Sequence, residues 1–140
     1  MALDLSGLKK AMSSFEKAVK VVSQDEQTAM LNEDQKEVIR AGIIQNFECT
    51  YELCWKFMKR WLGNSLGGLI VDGVTRRELF RYAAEHQLIE DVDLWMEYHD
   101  ARNEVAHTYN EKTAEDVFLI AKRFLYDARK FAKKLEEKND

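Results

Sequence analysis

The chain is predicted to be all-α, an up-and-down antiparallel bundle of four to five helices, on three observations. It has 140 residues without a single proline. Four of its six glycines fall together, at 63, 67, 68 and 73. Proline and glycine punctuate turns, and a turn-rich β protein would carry more of both and spread them more evenly. Over most of the length, apolar residues recur at three- and four-residue steps, the period of a helix that turns one face to a core.

The first helix is read from Leu8, Met12, Phe15, Val19 and Val22, with Lys9, Ser13, Glu16, Lys17 and Lys20 between them, and is expected to end between Ser23 and Gln27. A longer second helix runs from about Asp34 to Leu62, with Ile44, Phe47, Tyr51, Cys54, Trp55, Met58 and Leu62 on one face. Glu48, Glu52 and Lys56 line its other side, and Glu52 before Lys56 has the favourable order for a pair four residues apart. Its load of aromatics marks it as the central helix and as part of a dimer seam. Positions 63–73 then break the pattern and are expected to form the longest loop. This loop lacks the Gly-Lys-Ser/Thr ending of a phosphate-binding loop, so a flexible connector is the better reading.

Thr75-Arg76-Arg77-Glu78 has the form of a capping box that opens a short helix to about Glu85. The next helix starts near Asp91, with Leu94, Tyr98, Ala101 and Val105 inward and Trp95, His99, Arg102 and Ala106 on the adjacent stripe. Thr113 is the expected N-cap of the last helix, whose apolar stripe is Val117, Ala121, Phe124, Ala128, Phe131 and Leu135; beyond Leu135 the chain should fray.

The length suits one domain spanning residues 1–140. A composition that is 46% hydrophobic and 33% charged is globular and argues against disorder. No leader-like apolar segment or membrane-length run is present, so a cytoplasmic protein without membrane contact is expected. The net charge of −4 gives no global pull toward nucleic acid, and any RNA contact must use a local basic patch. Lys56, Lys59 and Arg60 form one candidate patch and Arg76, Arg77 and Arg81 another, for RNA or for an acidic partner, although solvated helix faces often look the same. Trp55, Trp61 and Trp95 read as core or interface anchors. Cys49 and Cys54, five apart, match neither a redox pair nor a zinc site, and His99 and His107 have no acid at a ligand spacing. No metal and no cofactor is expected.

Candidate chemistry concentrates in ARNEVAHTYN, where Arg102, Asn103, His107 and Tyr109 fall within eight positions. A guanidinium that never loses its charge and an imidazole that titrates near neutrality are suited to holding and cleaving a phosphodiester. An arginine paired to an acid, a histidine cap and a half-buried tyrosine are the structural alternative. On one unbroken helix, Arg102 and His107 would point about 140° apart. Either the helix breaks before His107, or the site is completed by the same motif from a second subunit across a two-fold axis; the homodimer is the expected solution.

The Arg-Asn-x-x-x-His-x-Tyr pattern resembles the signature of the HEPN superfamily. FECTYELCWKFMKRWL from Phe47, the glycine-containing segment after it, TRRELFRYAAEHQLI from Thr75 and RNEVAHTYN together resemble the nucleotidyltransferase substrate-binding family within it, in order and over most of the chain. The resemblance implies a helical bundle that dimerises and pairs with a separately encoded minimal nucleotidyltransferase, as a homodimer or a heterotetramer with that partner. Such pairs resemble toxin–antitoxin modules, and the Arg-x4-His-x-Tyr form is similar to that of HepT toxins. By the same resemblance, Arg102 and His107 would be catalytic in a metal-independent endoribonuclease, Asn103 their polar assistant, and Tyr109 the acceptor of an AMP group that inhibits the toxin. The alternative it carries is a noncatalytic subunit that holds substrate for the transferase.

Overall fold

The computed structural model describes residues 2–22, 30–107 and 111–139, with side chains for all of these except 22, 105–107 and 111–115. The described residues are all-helical. The long elements are α1 (Ser6–Val22), α2 (Glu33–Leu66), α5 (Val92–His107) and α6 (Glu111–Lys138), and between α2 and α5 lie the single turn α3 (Gly68–Val71) and the short α4 (Arg76–Glu85). Pairing along α1 and α6 fixes their antiparallel sense: Lys9 meets Glu136 at 3.2 Å and Glu16 meets Arg129 at 2.8 Å. The same crossed order, Glu90 with Lys130 and Glu97 with Arg123, sets α5 antiparallel to α6.

Buried side chains from every long helix form one continuous core. Phe124 sits in its middle, fully enclosed by the rings of Phe15, Phe47, Tyr51, Trp95 and Tyr98. Burial of this much aromatic surface is what holds the layers together.

Several boundaries differ from the sequence expectation, each for a local reason. α2 begins one residue earlier than expected because Asn32 caps it: its side chain accepts from Gln35 N at 2.8 Å while Gln35 returns a bond to Asn32 N. At its other end the helix continues through Gly63 to Leu66. It stops at Gly67, whose φ of 104° few L residues adopt, and α3 follows directly, so the expected long loop is mostly helix. α4 has the expected Thr75 cap, which accepts from Glu78 N at 3.1 Å; the Glu78 carboxylate, however, receives the Thr75 hydroxyl instead of its backbone N–H. α4 ends in a Schellman turn, with Gln87 at φ 62° and Leu88 N donating to Ala83 O.

α1 is helical to Val22, and the expected stop between Ser23 and Gln27 lies outside the described residues. The last helix already begins at Glu111, so Thr113 lies inside it and is not its N-cap. Nor does the end of α6 fray at Leu135. It runs to Lys138, and the Asn139 side chain clasps the backbone of Leu3, accepting from its N–H at 2.8 Å and donating to its carbonyl at 2.9 Å. No described helix is long and apolar enough to cross a membrane.

Candidate functional site

Helix periodicity brings two short rows of residues face to face. On α2, Tyr51, Glu52 and Trp55 share a side, and on α5, His99, Arg102 and Asn103 do, because residues three and four apart are surface neighbours. Arg76, the first residue of α4 after its Thr75 cap, reaches across to both rows.

These residues form a circuit that starts and ends on consecutive positions of α5. Arg102 Nε lies 3.0 Å from Glu52 Oε1, both side chains about 30% exposed, with 29% and 31% respectively. The Nε hydrogen does not point along this contact, which is therefore an ion pair without an aligned hydrogen bond. The other Glu52 oxygen accepts from Trp55 Nε1 at 3.0 Å. The Arg76 guanidinium lies over the Trp55 indole, 3.7 Å from the ring centroid, and donates to the Tyr51 hydroxyl at 3.2 Å. Tyr51 Oη is 2.8 Å from His99 Nδ1, and Asn103 Nδ2 is 3.2 Å from His99 Nε2.

Burial pushes the Tyr51 hydroxyl well above its usual range, against the opposing pull of Arg76, so it keeps its proton. Burial also lowers the His99 imidazole below its ordinary value, and the nearby Arg76 charge adds to this. Both effects favour the neutral ring. The tautomer of His99 sets which partner donates in each of these two contacts, since a neutral imidazole carries one donor and one acceptor nitrogen. The circuit thus fixes the rotamer of Asn103 at one end and of Arg102 at the other. A permanent cation and an amide held side by side on a partly open helix face can receive an oxyanion such as a phosphate.

Of the sequence-predicted site residues, Arg102 and Asn103 are brought together in this way. His107 is the last residue of α5, and the helix is unbroken up to it, so positions 102 and 107 fall about 140° apart around its axis. The His107 side chain and all of Tyr109 lie outside the described residues. The expected Glu52–Lys56 pair is not formed: Glu52 turns to Arg102 and Trp55, while Lys56 lies 5.8 Å from the Trp55 ring centroid. Tyr51, Glu52, Trp55, Arg76 and His99 were missed as members of the site. A signal for His99 was present in its three- and four-residue spacing from Arg102 and Asn103; Arg76 stood out only as part of a candidate basic patch with Arg77 and Arg81, and nothing local tied it to Arg102.

Elsewhere, burial pushes the Cys54 thiol far above its usual value, which makes it a poor nucleophile, while Cys49 is exposed; both are free. Among the described residues no three His, Cys, Asp or Glu side chains cluster as a metal ligand set.

Comparison with known proteins adds a lineage to this geometry. Residues 3–137 match the family model described as nucleotidyltransferase substrate binding protein like. A Haemophilus influenzae protein named probable ribonuclease HepT is 30% identical over 138 residues, which cover 98% of this chain and 94% of that one. A solved Haemophilus influenzae structure, described as the fold of a substrate binding domain of a nucleotidyltransferase, superposes with a TM-score of 0.90 at 30% identity, covering 95% of this chain and 99% of the other. A Thermus thermophilus structure superposes with a TM-score of 0.72 at 25% identity, covering 91% and 98%.

Proposed function

Because the chain belongs to the nucleotidyltransferase substrate binding protein like family, we propose that it is the helical half of a two-component nucleotidyltransferase module and acts as a metal-independent endoribonuclease restrained by its partner. The observation that carries this reading is the clamp on consecutive residues Arg102 and Asn103 at the head of a motif whose helix continues to His107. The ribonuclease name of the Haemophilus relative supports it.

In this reading the scissile phosphate lies against Arg102 and Asn103. Glu52 engages Arg102 through Nε, which leaves the terminal guanidinium nitrogens as donors to the phosphate. His107 takes the proton from the RNA 2′-hydroxyl as its oxygen attacks phosphorus, or returns one to the departing 5′-oxygen, and the product end is a 2′,3′-cyclic phosphate. Since Arg102 and His107 diverge on one helix, the two motifs of a homodimer face each other and each supplies what the other lacks. Adenylylation of Tyr109 by the transferase, in a heterotetramer of two chains of each kind, places bulk and negative charge beside this site and shuts it, by the logic that governs phosphorylation.

The test is metal-free cleavage of end-labelled cellular RNA by protein made without any transferase, with intact mass establishing an unmodified Tyr109. Cleavage lost in both His107→Ala and Arg102→Ala, with folding retained, is the expected result. Intact RNA after incubation with the folded wild type would instead favour a noncatalytic subunit that holds substrate for the transferase, a reading in line with the description of the Haemophilus structure as the fold of a substrate binding domain of a nucleotidyltransferase.

A further inference from the structure

The face of α2 that carries Glu52 continues for three more turns into a cleft of about 550 Å³ against α3, lined by Trp55, Lys56, Lys59, Arg60, Gly63 and Asp72 among others. Its charge differs from that of two other surface clefts. Between α1 and α6, Lys9, Arg129 and Lys133 face Glu16 and Glu136, with Lys9 and Arg129 paired to them; between α5 and α6, Lys130 and Lys134 face Glu90, Asp91 and Asp127, with Lys130 paired to Glu90. In the α2–α3 cleft the one lining carboxylate, Asp72, stands 4.0 Å from Lys59 at the limit of an ion pair. Among the described residues Lys56 and Arg60 have no carboxylate partner and rest instead near the rings of Trp55 and Phe57. The protein carries a net charge of −4, so this cationic excess is local and not the background of a basic surface.

From this charge and its placement we infer that the cleft binds the phosphate backbone of single-stranded RNA and feeds it to Arg102 and Asn103. The inference rests on the ribonuclease reading of that site and adds its substrate path. Lys59 and Arg60 sit about one turn beyond Lys56 on α2, roughly 4.5 and 6 Å along the axis, a separation that suits neighbouring charges on a polymer bearing one charge per unit. The cleft is also joined to the site. Trp55 lines its near end, donates to Glu52, and through Glu52 is tied to Arg102. From Glu52 to Gly63 the helix rises about 16 Å, room for a few nucleotides.

The experiment measures anisotropy of a short, dye-labelled single-stranded RNA with the His107→Ala protein as parent, so that the probe is bound and not consumed. Adding Lys56→Ala, Lys59→Ala and Arg60→Ala should weaken binding about tenfold or more at about 0.1 M salt and lower the log–log salt slope by about two, since each lost phosphate contact on a single strand contributes about 0.7. Lys56→Arg with Lys59→Arg should bind like the parent. Lys10→Ala, Lys17→Ala and Lys20→Ala on exposed positions of α1 remove the same charge elsewhere and should leave affinity near that of the parent. Unchanged binding in the α2 variant, or an equal loss in the α1 variant, overturns the cleft. So does a variant that keeps RNA but no longer binds the transferase, which would make the cleft a partner surface. Wild-type cleavage of the same RNA is scored separately: cleavage with an unaltered salt slope in the α2 variant sinks the path alone, whereas no cleavage by the wild type sinks the ribonuclease reading.

Discussion

Two neighbouring regions built on the same helices obey different physics. Around Phe124 the rings of Phe15, Phe47, Tyr51, Trp95 and Tyr98 lie with centroids 4.9 to 6.1 Å away, and they meet it ring against ring, the Tyr98 hydroxyl reaching outward to donate to Asp127. Around His99 each side chain has a specified partner, and the order Arg102, Glu52, Trp55, Arg76, Tyr51, His99, Asn103 admits no exchange of members. Tyr51 belongs to both, its ring in the core and its hydroxyl in the circuit. The contrast separates stability from positioning: the first region supplies burial energy that any well-fitting apolar set would supply, and the second spends little of it to fix where a cation and an amide point.

The strongest way to break that division is Phe124→Ala. Removing a fully buried ring at the meeting point of α1, α2, α5 and α6 should cost about 3–5 kcal/mol in urea unfolding. A loss below about 1 kcal/mol would mean that the surrounding rings collapse into the space and that the interior is far looser than it looks. Tyr51→Phe comes next, because it keeps the ring and deletes only the hydroxyl shared by Arg76 and His99. Its expected cost is about 1–2 kcal/mol. A cost as large as that of Phe124→Ala would show that the circuit carries the fold, contrary to the division drawn here.

The interior was legible in the sequence because burial follows period. Every long helix announces itself by three- and four-residue spacing, and Leu8, Phe15, Phe47, Phe124 and Leu135 are all buried as that spacing implies. End effects were less visible. The Asn32–Gln35 box and the Leu3–Asn139 clasp depend on single side chains, and the second of these joins residues 136 apart. Two of the seven members of the circuit were legible, and for a different reason: Arg102 and Asn103 stand out by residue type, whereas Arg76 joins through α4, whose placement against α2 no local pattern encodes. Glu52 shows the cost of reasoning from one helix alone. Its spacing favours Lys56, but a tertiary neighbour, Arg102, competes and wins.

Glu52→Gln sharpens the comparison on the side of the circuit. The ion pair it removes is partly solvated, so the stability change should stay within about 1 kcal/mol. Cleavage should fall by about tenfold or more, because an unanchored Arg102 no longer meets the phosphate in one geometry. The informative readout is this divergence between unfolding and rate. A drop in both together would place Glu52 with the core, and no drop in rate would detach the Glu52–Arg102 pair from function.

The smallest effect concerns pH. Burial holds the His99 imidazole below its usual value, so as pH falls the unfolded chain takes up this proton before the folded one does. The stability tied to the neutral ring is therefore complete above the unfolded value of about 6.5 and is lost as pH falls from there through the lowered folded value. Protonation makes both ring nitrogens donors, so neither the Tyr51 hydroxyl nor the Asn103 amide nitrogen can then donate to the ring; beyond burial, the Arg76 charge opposes the proton most, Asp100 and Glu52 favour it, and Arg102 opposes it least. Unfolding free energies of wild type and His99→Gln, compared between about pH 7 and pH 5, should diverge in that window with the wild type losing more on the acid side. Parallel curves would mean that the proton enters without disturbing the circuit, and that the Asn103 end is held by something other than His99.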